Sequence, residues 1–230
     1  MNDPRVDLRR AERTQPILVW DCGNVLVRFV PECKNERFHS KCSVSPEELK
    51  RFCESEGPFF EYERGRIGSQ EFYENVRRVL GYSGDYEDFR HSFEGIFELD
   101  REVFDFAISE VKPFVQEMWM LSNINPIHHA YIADRWPGVF SNFRRVFLSY
   151  EIGFRKPDKE IWRIPKEMTG IGPGACCFID DVMENCLAAQ KAGFDYICFK
   201  DLDQLKKEFK KRGIGKAGIP PKIAQPRLER

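Results

Sequence analysis

Three short apolar runs constrain this chain more than any other feature of its sequence. Ile17-Leu18-Val19-Trp20 stops at Asp21 and enters Cys22-Gly23-Asn24. Met118-Trp119-Met120-Leu121 stops at Ser122-Asn123, and Cys176-Cys177-Phe178-Ile179 stops at Asp180-Asp181. A short, unbroken apolar run ended by turn residues suits a strand buried on both faces, the kind found in a parallel sheet. Val146-Phe147-Leu148 and Tyr196-Ile197-Cys198-Phe199 are weaker strands of the same kind. Helical patterns separate them. Val182, Cys186 and Ala189 line one helix that Gly193 stops. Leu202, Leu205 and Phe209 line another, whose opposite face is charged. Strands alternating with helices predict an α/β fold with a doubly wound parallel sheet and right-handed crossovers.

The stretch from Pro31 to Lys112 breaks this alternation and reads as helical, with no strand. Ser45-Pro46-Glu47-Glu48 is a capping box with proline at the first helical position. Gly68-Ser69 precedes an apolar pattern at Phe72, Val76, Val79 and Leu80, closed by Gly81. Asp85 opens a third helix with Phe89, Phe93 and Phe97 on one face. The expected organisation is a helical cap over residues 31–112, inserted into a Rossmann-like core of residues 16–30 and 113–212. A polar N-terminal arm, residues 1–15, precedes it, and a flexible tail rich in Gly, Pro and basic residues, 213–230, follows.

Composition excludes several classes of function. A net charge of −1 over 230 residues gives no field that would gather nucleic acid or an anionic membrane, so neither partner is expected. The run Lys206, Lys207, Lys210, Lys211, Arg212 lacks interleaved aromatics and reads as a solvated helix face. No apolar run approaches a membrane span, and the charged N-terminus lacks the apolar segment of a secretory signal. The eight cysteines are scattered, several inside apolar runs, and read as reduced, buried side chains of a cytoplasmic protein. Cys33, His39, Cys42 and Cys53 fit no compact zinc spacing. His128-His129, just after Ser122-Asn123, has two readings: a helix-surface pair, or residues that line the crevice. Strand alternation aims Cys22 away from Asp21, which makes it a packing residue rather than a thiol nucleophile. Oligomeric state leaves no mark in the sequence.

In an open α/β sheet, ligands bind in the crevice outside the carboxyl ends of the strands. If the three strong strands are neighbours, Asp21, Ser122-Asn123 and Asp180-Asp181 converge there. Carboxylates that close repel one another and raise each other's pKa. A divalent cation relieves the repulsion, and an all-oxygen ligand set suits Mg²⁺. Lys156, in Phe154-Arg155-Lys156-Pro157-Asp158, can add a positive charge. A carboxylate, a cation, a lysine and a hydroxyl describe a phosphoryl-transfer site, where positioning and charge neutralisation do most of the catalysis.

At these residues the sequence resembles the haloacid dehalogenase-like (HAD) hydrolase superfamily, over roughly residues 16–212. The first motif is Asp21-Cys22-Gly23-Asn24-Val25-Leu26 and the second Ser122-Asn123. The third is Arg155-Lys156-Pro157, and the fourth Asp180-Asp181 with Asn185 following. Closest in pattern is the subgroup of small sugar-phosphate phosphatases such as α-D-glucose-1-phosphate phosphatase, which Glu63-Arg64-Gly65 and Ile67 in the insert also resemble.

The resemblance implies a role for each motif residue. Asp21 is implied as a nucleophile that forms an aspartyl-phosphate and also binds Mg²⁺. The backbone carbonyl of Gly23 and the carboxylate of Asp181 are the other implied ligands. Asp180 and Asn185 are implied as ligands through water or as orienting groups behind them. Ser122 and the backbone N–H of Asn123 are implied to hold the phosphoryl oxygens, and Lys156 to neutralise nucleophile and phosphate. One position departs from the wider superfamily. Most of its phosphatases carry a second Asp two residues after the nucleophile as general acid and base, and Gly23 stands there. The expected function is Mg²⁺-dependent hydrolysis of a small phosphorylated metabolite such as a sugar phosphate. Its rivals are hydrolytic dehalogenation, which the acidic pair disfavours because it needs no metal, and a catalytically weak binding or regulatory protein that keeps the fold.

Overall fold

A computed structural model of the protein describes residues 16–30 and 36–215. The expected N-terminal arm, the tail from Lys216 onward, and Pro31 and Cys33 lie outside the described residues. In chain order the strands are β1 (Ile17–Trp20), β2 (Val27–Phe29), β3 (Phe97–Leu99), β4 (Met118–Ser122), β5 (Arg145–Leu148), β6 (Cys176–Asp180) and β7 (Asp195–Cys198). Five of them form one parallel sheet in the order β5-β4-β1-β6-β7. The chain builds outward from β1 through β4 to β5 on one side, then returns to lay β6 and β7 on the other. β1 is therefore the switch point of the sheet, and the ends of β1, β4 and β6 open on one crevice.

The apolar runs are unbroken because alternate residues face two separate cores. Leu18 and Trp20 of β1 join Met118, Met120, Cys177 and Ile179 on one face. Ile17 and Val19 join Trp119, Leu121, Cys176 and Phe178 on the other. Helices cover both faces, as the doubly wound reading requires. The insert supplies α1 (Glu36–His39), α2 (Pro46–Glu54), α3 (Pro58–Glu63), α4 (Ser69–Leu80) and α5 (Tyr86–Glu94). The sheet is flanked by α6 (Arg101–Phe106), α7 (Pro126–Arg135), α8 (Gly138–Ser141), α9 (Ser149–Ile152), α10 (Ile164–Thr169), α11 (Met183–Lys191) and α12 (Leu202–Arg212). Val103 of α6 and Leu205 and Phe209 of α12 pack on the first face. Ala189 of α11, with Ile161 and Trp162, packs on the second.

The insert has its own core, made largely of aromatic rings: Tyr62, Phe72, Tyr73, Tyr82, Phe89 and Phe93. Phe72 lies at its centre, fully buried and stacked on Tyr62 at 4.4 Å between ring centroids. The capping box on α2 is present: Ser45 accepts from Glu48 N–H and the Glu48 carboxylate accepts from Ser45 N–H. α4 ends at Gly81 in the left-handed region, as expected, but Val79 points to solvent while Phe72, Val76 and Leu80 are buried.

Two expectations for the insert need correction. β2 and β3 pair antiparallel, with Phe29 opposite Phe97, so the stretch from 31 to 112 is not free of strands. Phe97 accordingly belongs to β3 and not to the helix that carries Phe89 and Phe93. Three-residue strands are too short for alternation to show, and a Phe every fourth residue mimics a helix face. The chain also returns to the sheet well before Lys112: Val103, Ala107 and Val111 all pack in the first sheet core.

Substitution at Phe72 and at Val79 separates the two faces of α4. Phe72→Ala should lower the unfolding free energy by about 3–5 kcal/mol, whereas Val79→Ser should change it by less than about 0.5 kcal/mol. Urea denaturation of both variants measures the difference.

Candidate active site

The turn after β1 aims the first motif. Leu26 and Val27 N–H both donate to the Cys22 carbonyl, which folds residues 22–27 into a tight loop above the strand end. Asn24 takes a left-handed conformation at φ 51°, which asparagine tolerates better than most residues. From there Asn24 Nδ2 donates to Asp181 Oδ2 at 3.2 Å, tying the loop of β1 to the end of β6. Asp21, at the tip of β1, is 8% exposed.

Lys156 reaches the same point from the loop between α9 and α10. Its ammonium is buried and lies 2.8 Å from Asp21 Oδ1 and 2.7 Å from Asp180 Oδ2. Asp180 is held rigidly behind it: Val182 N–H donates to Oδ1 at 2.8 Å, and Asn185 Nδ2 donates to both oxygens. Oxygens of Asp21, Asp180 and Asp181 lie within 4.8 Å of one another. The structure thus brings together Asp21, Lys156, Asp180 and Asp181.

This crowding sets the proton affinities. Burial pushes the Asp21 carboxyl up to about 7; Lys156 works against this shift and the Asp180 charge adds to it. Burial and then the Asp180 charge also raise Asp181. Burial alone would depress the Lys156 ammonium, but the charges of Asp180 and Asp21 outweigh it and hold the group above its usual range. One ammonium faces three carboxylates. The donor set is all oxygen and carries excess negative charge, which fits a hard divalent cation.

Ser122 and Asn123 end β4 beside this cluster. With Gly23 they line one end of a cavity of about 640 Å³ that runs up between the sheet and the insert. Asn123 has a task the sequence did not reveal. Its side-chain amide accepts from Lys156 N–H at 2.7 Å and donates to the Lys156 carbonyl at 2.8 Å. Both ends of the amide are spent on the backbone of Lys156, so Asn123 sets where that lysine stands.

Three consecutive residues of the insert dock on the loop that carries Lys156 and on α9. Glu63, buried, accepts from Arg155 Nε at 3.0 Å. Arg64 Nε and Nη2 each donate to Asp158 at 3.1 Å. A Cβ on Gly65 would lie 2.0 Å from the Tyr150 carbonyl oxygen, so only glycine permits this approach. The two ion pairs flank Lys156 on either side. Opposite charges so far apart in sequence cannot be matched from the sequence alone; Glu63-Arg64-Gly65 stood out only by resemblance.

Of the two readings of His128, the structure gives the second: it lines the cavity, is buried, and stacks on Phe93 at 4.3 Å between ring centroids. Its Nε2 donates to the Phe93 carbonyl at 3.0 Å, and its Nδ1 accepts from Asn125 Nδ2 at 2.9 Å. Burial pushes it down to about 3, so it is a neutral bolt between α7 and the insert. Cys22 is buried as expected, and burial and the Asp21 charge hold its thiol far above the ordinary range. Among the described residues, Asp21, Asp180 and Asp181 are the only clustered His, Cys, Asp or Glu side chains with metal-site spacing.

The chain matches the haloacid dehalogenase-like hydrolase family over residues 16–193 and belongs to it. It is 25% identical over 147 residues to a D-ribitol-5-phosphate phosphatase from Bacteroides thetaiotaomicron, covering 60% of this chain and 69% of that protein. It is 26% identical over 212 residues to flavin mononucleotide hydrolase 1 from Arabidopsis thaliana, covering 88% and 80%. A HAD family enzyme from Bacteroides thetaiotaomicron, solved in complex with magnesium and inorganic phosphate, superposes with a TM-score of 0.71 at 25% identity, over 83% of this chain and 98% of that one. A HAD-like family hydrolase from Porphyromonas gingivalis does so with the same score and identity, over 85% and 98%. No helix among the described residues is long and apolar enough to cross a membrane.

The raised carboxyl of Asp21 has a consequence for stability. Between the ordinary 3.8 and about 7, the folded protein keeps a proton on Asp21 that the unfolded chain has lost. Stability from this group is therefore full at low pH and falls as pH rises through that window. Asp21→Asn cannot titrate. In chelator, the melting temperature of the variant should gain on wild type by at least about 3 °C across the window. Adding Mg²⁺ above the window should recover the wild type more than the variant. A pH-independent gap between the two melting curves would contradict the assignment.

Proposed function

We propose that this enzyme is a Mg²⁺-dependent phosphatase of a small phosphorylated metabolite, and that it works through an aspartyl-phosphate on Asp21. The observation that carries the reading is the buried Lys156 ammonium bridging Asp21 and Asp180, with Asp181 beside them at the switch point of the sheet. The names of the two relatives support it, since D-ribitol 5-phosphate and flavin mononucleotide are both phosphomonoesters of a primary alcohol. Phosphates of primary alcohols are the corresponding substrate class.

Each residue has a task in this reaction. Asp21, Asp181 and the backbone carbonyl of Gly23 would hold Mg²⁺, with Asp180 and Asn185 fixed behind them. Mg²⁺, when bound, supplies the positive charge that the phosphoryl oxygens and the crowded carboxylates lack. Lys156 and Cys22 N–H both hold Asp21 Oδ1, which fixes the plane of the carboxylate. A carboxylate oxygen of Asp21 attacks phosphorus, and the bond from phosphorus to the ester oxygen breaks. The Ser122 hydroxyl and Asn123 N–H hold the phosphoryl oxygens in line. Water then attacks the same phosphorus, the bond to Asp21 breaks, and inorganic phosphate leaves with Asp21 restored. Gly23 has no side chain to protonate the ester oxygen, and the Phe29 ring lies 3.4 Å from where its Cβ would be. The leaving oxygen therefore takes its proton from water.

Phosphate release from p-nitrophenyl phosphate tests the reading. Asp21→Asn should lose at least about a thousandfold in kcat/KM while melting cooperatively. Asp181→Ala should raise the Mg²⁺ concentration needed for half-maximal rate, and EDTA should abolish turnover until Mg²⁺ is restored. Undiminished turnover in EDTA would end the proposal.

A further inference from the structure

The cavity above the reaction centre is built for a different leaving group from the one the sugar-phosphate resemblance implies. We propose that the substrate is a phosphomonoester whose alcohol part carries a flat aromatic ring, and that β2, β3 and the insert together form the ring's pocket. The proposal rests on the phosphatase reading above and adds the identity of the leaving group.

Polar accounting leads to it. A sugar or alditol bears a hydroxyl on nearly every carbon, and each one buried without a partner costs about 1–3 kcal/mol. Most of the buried polar groups that line this cavity already have protein partners. Both ends of the Asn123 amide serve Lys156, and both nitrogens of His128 serve Asn125 and Phe93. Arg155 pairs with Glu63 through a single Nε–Oε2 contact, and its guanidinium also covers the Phe60 ring at 3.6 Å. The Cys53 thiol is pushed up to about 12 by burial, so it stays neutral and is a weak donor. Ser122 lies at the phosphate end. His39, Lys50 and Glu54 are solvent-exposed side chains and do not furnish an interior set of donors.

What remains is apolar and flat. Phe29, Phe59, Phe93 and Phe97 line the cavity, with Leu49 and Ile96 between them. The apolar wall begins next to the reaction centre. Phe29, 49% exposed at the end of β2, pairs with Phe97 at 4.9 Å and lies against Gly23. Aromatic rings gain most from partners at such centroid distances, stacked or edge-on. A cavity of about 640 Å³ is within the range of sites that enclose a drug-sized ligand, and a five-carbon alditol phosphate would leave much of it unfilled.

The test compares esters with the same kind of leaving oxygen. Ribitol 5-phosphate, pyridoxal 5′-phosphate and flavin mononucleotide are all phosphates of a primary alcohol, and only the latter two carry a ring. With Mg²⁺, at least one ring-bearing ester should exceed ribitol 5-phosphate about tenfold or more in kcat/KM. Phe29→Ala should cut that ratio, and Phe29→Leu, which keeps apolar area without the ring, should cut it nearly as much. Flavin fluorescence should be quenched on binding to Asp21→Asn protein, and inorganic phosphate should compete only weakly. If ribitol 5-phosphate equals or beats both ring esters while p-nitrophenyl phosphate is hydrolysed, the ring pocket is refuted and the phosphatase reading stands. If no ester releases phosphate, the phosphatase reading fails. Flavin binding to the Asp21→Asn protein then decides the ring pocket alone, and absence of quenching refutes it.

Discussion

The Lys156 ammonium is almost wholly removed from water and is held between two carboxylates that are buried as well. Taking these charges out of solvent costs several kcal/mol per ion, and their attraction offsets this only when every remaining lone pair and proton is also satisfied. The surrounding bonds follow from that requirement. Val182 N–H and Asn185 saturate Asp180, Cys22 N–H holds Asp21, and the Asn123 amide grips Lys156 by its own backbone. These partners follow the ends of three strands: Cys22 that of β1, Asn123 that of β4, and Val182 and Asn185 that of β6. The parallel sheet is what holds three such ends side by side, and its two apolar faces provide the stability that the ion cluster does not.

The same lysine links the insert to the sheet. Arg155 and Asp158, on either side of it, pair with Glu63 and Arg64, while Gly65 lets the backbone close on Tyr150. His128 fastens a second point, where α7 leaves the Ser122-Asn123 turn and meets Phe93. Both connections begin within a few residues of the reacting groups. Displacing the insert would therefore disturb Lys156 and the Ser122-Asn123 turn directly, and the position of the insert is part of the geometry of the centre.

Much of this was legible in the sequence because it depends on local patterns. A run such as Cys176–Ile179 is apolar at every position only if both faces are buried, so it announces a central parallel strand. An acid immediately after it must then lie at the strand's end. Asn123, His128 and Glu63 were illegible in their roles for one common reason. Each acts through a partner distant in the chain or through a backbone atom, and neither leaves a trace in residue type or spacing. β2 and β3 were missed on a different ground: Val27–Phe29 and Phe97–Leu99 are too short for alternation to exceed chance, and their pairing spans the whole insert.

The site divides between two solvents. On the phosphate side, charges are dense and each has a fixed partner, so little reorganisation accompanies the transfer of a phosphoryl group. On the leaving-group side, Gly23 contributes no acid and Phe29 begins an apolar wall. These two features belong together. A carboxylic acid at residue 23 would place a titrating polar group against the Phe29 ring, where its charged form would be poorly solvated. Without it, the wall can run unbroken from the reaction centre to Phe97 and Phe93. The enzyme then forgoes a proton donor worth about 10²–10⁴-fold in rate, and gains apolar surface on which a ring can be held. Selectivity for the alcohol part would thus come from burial of its apolar surface, while in the proposed reaction the ion cluster around Lys156 would read only the phosphate that all such substrates share.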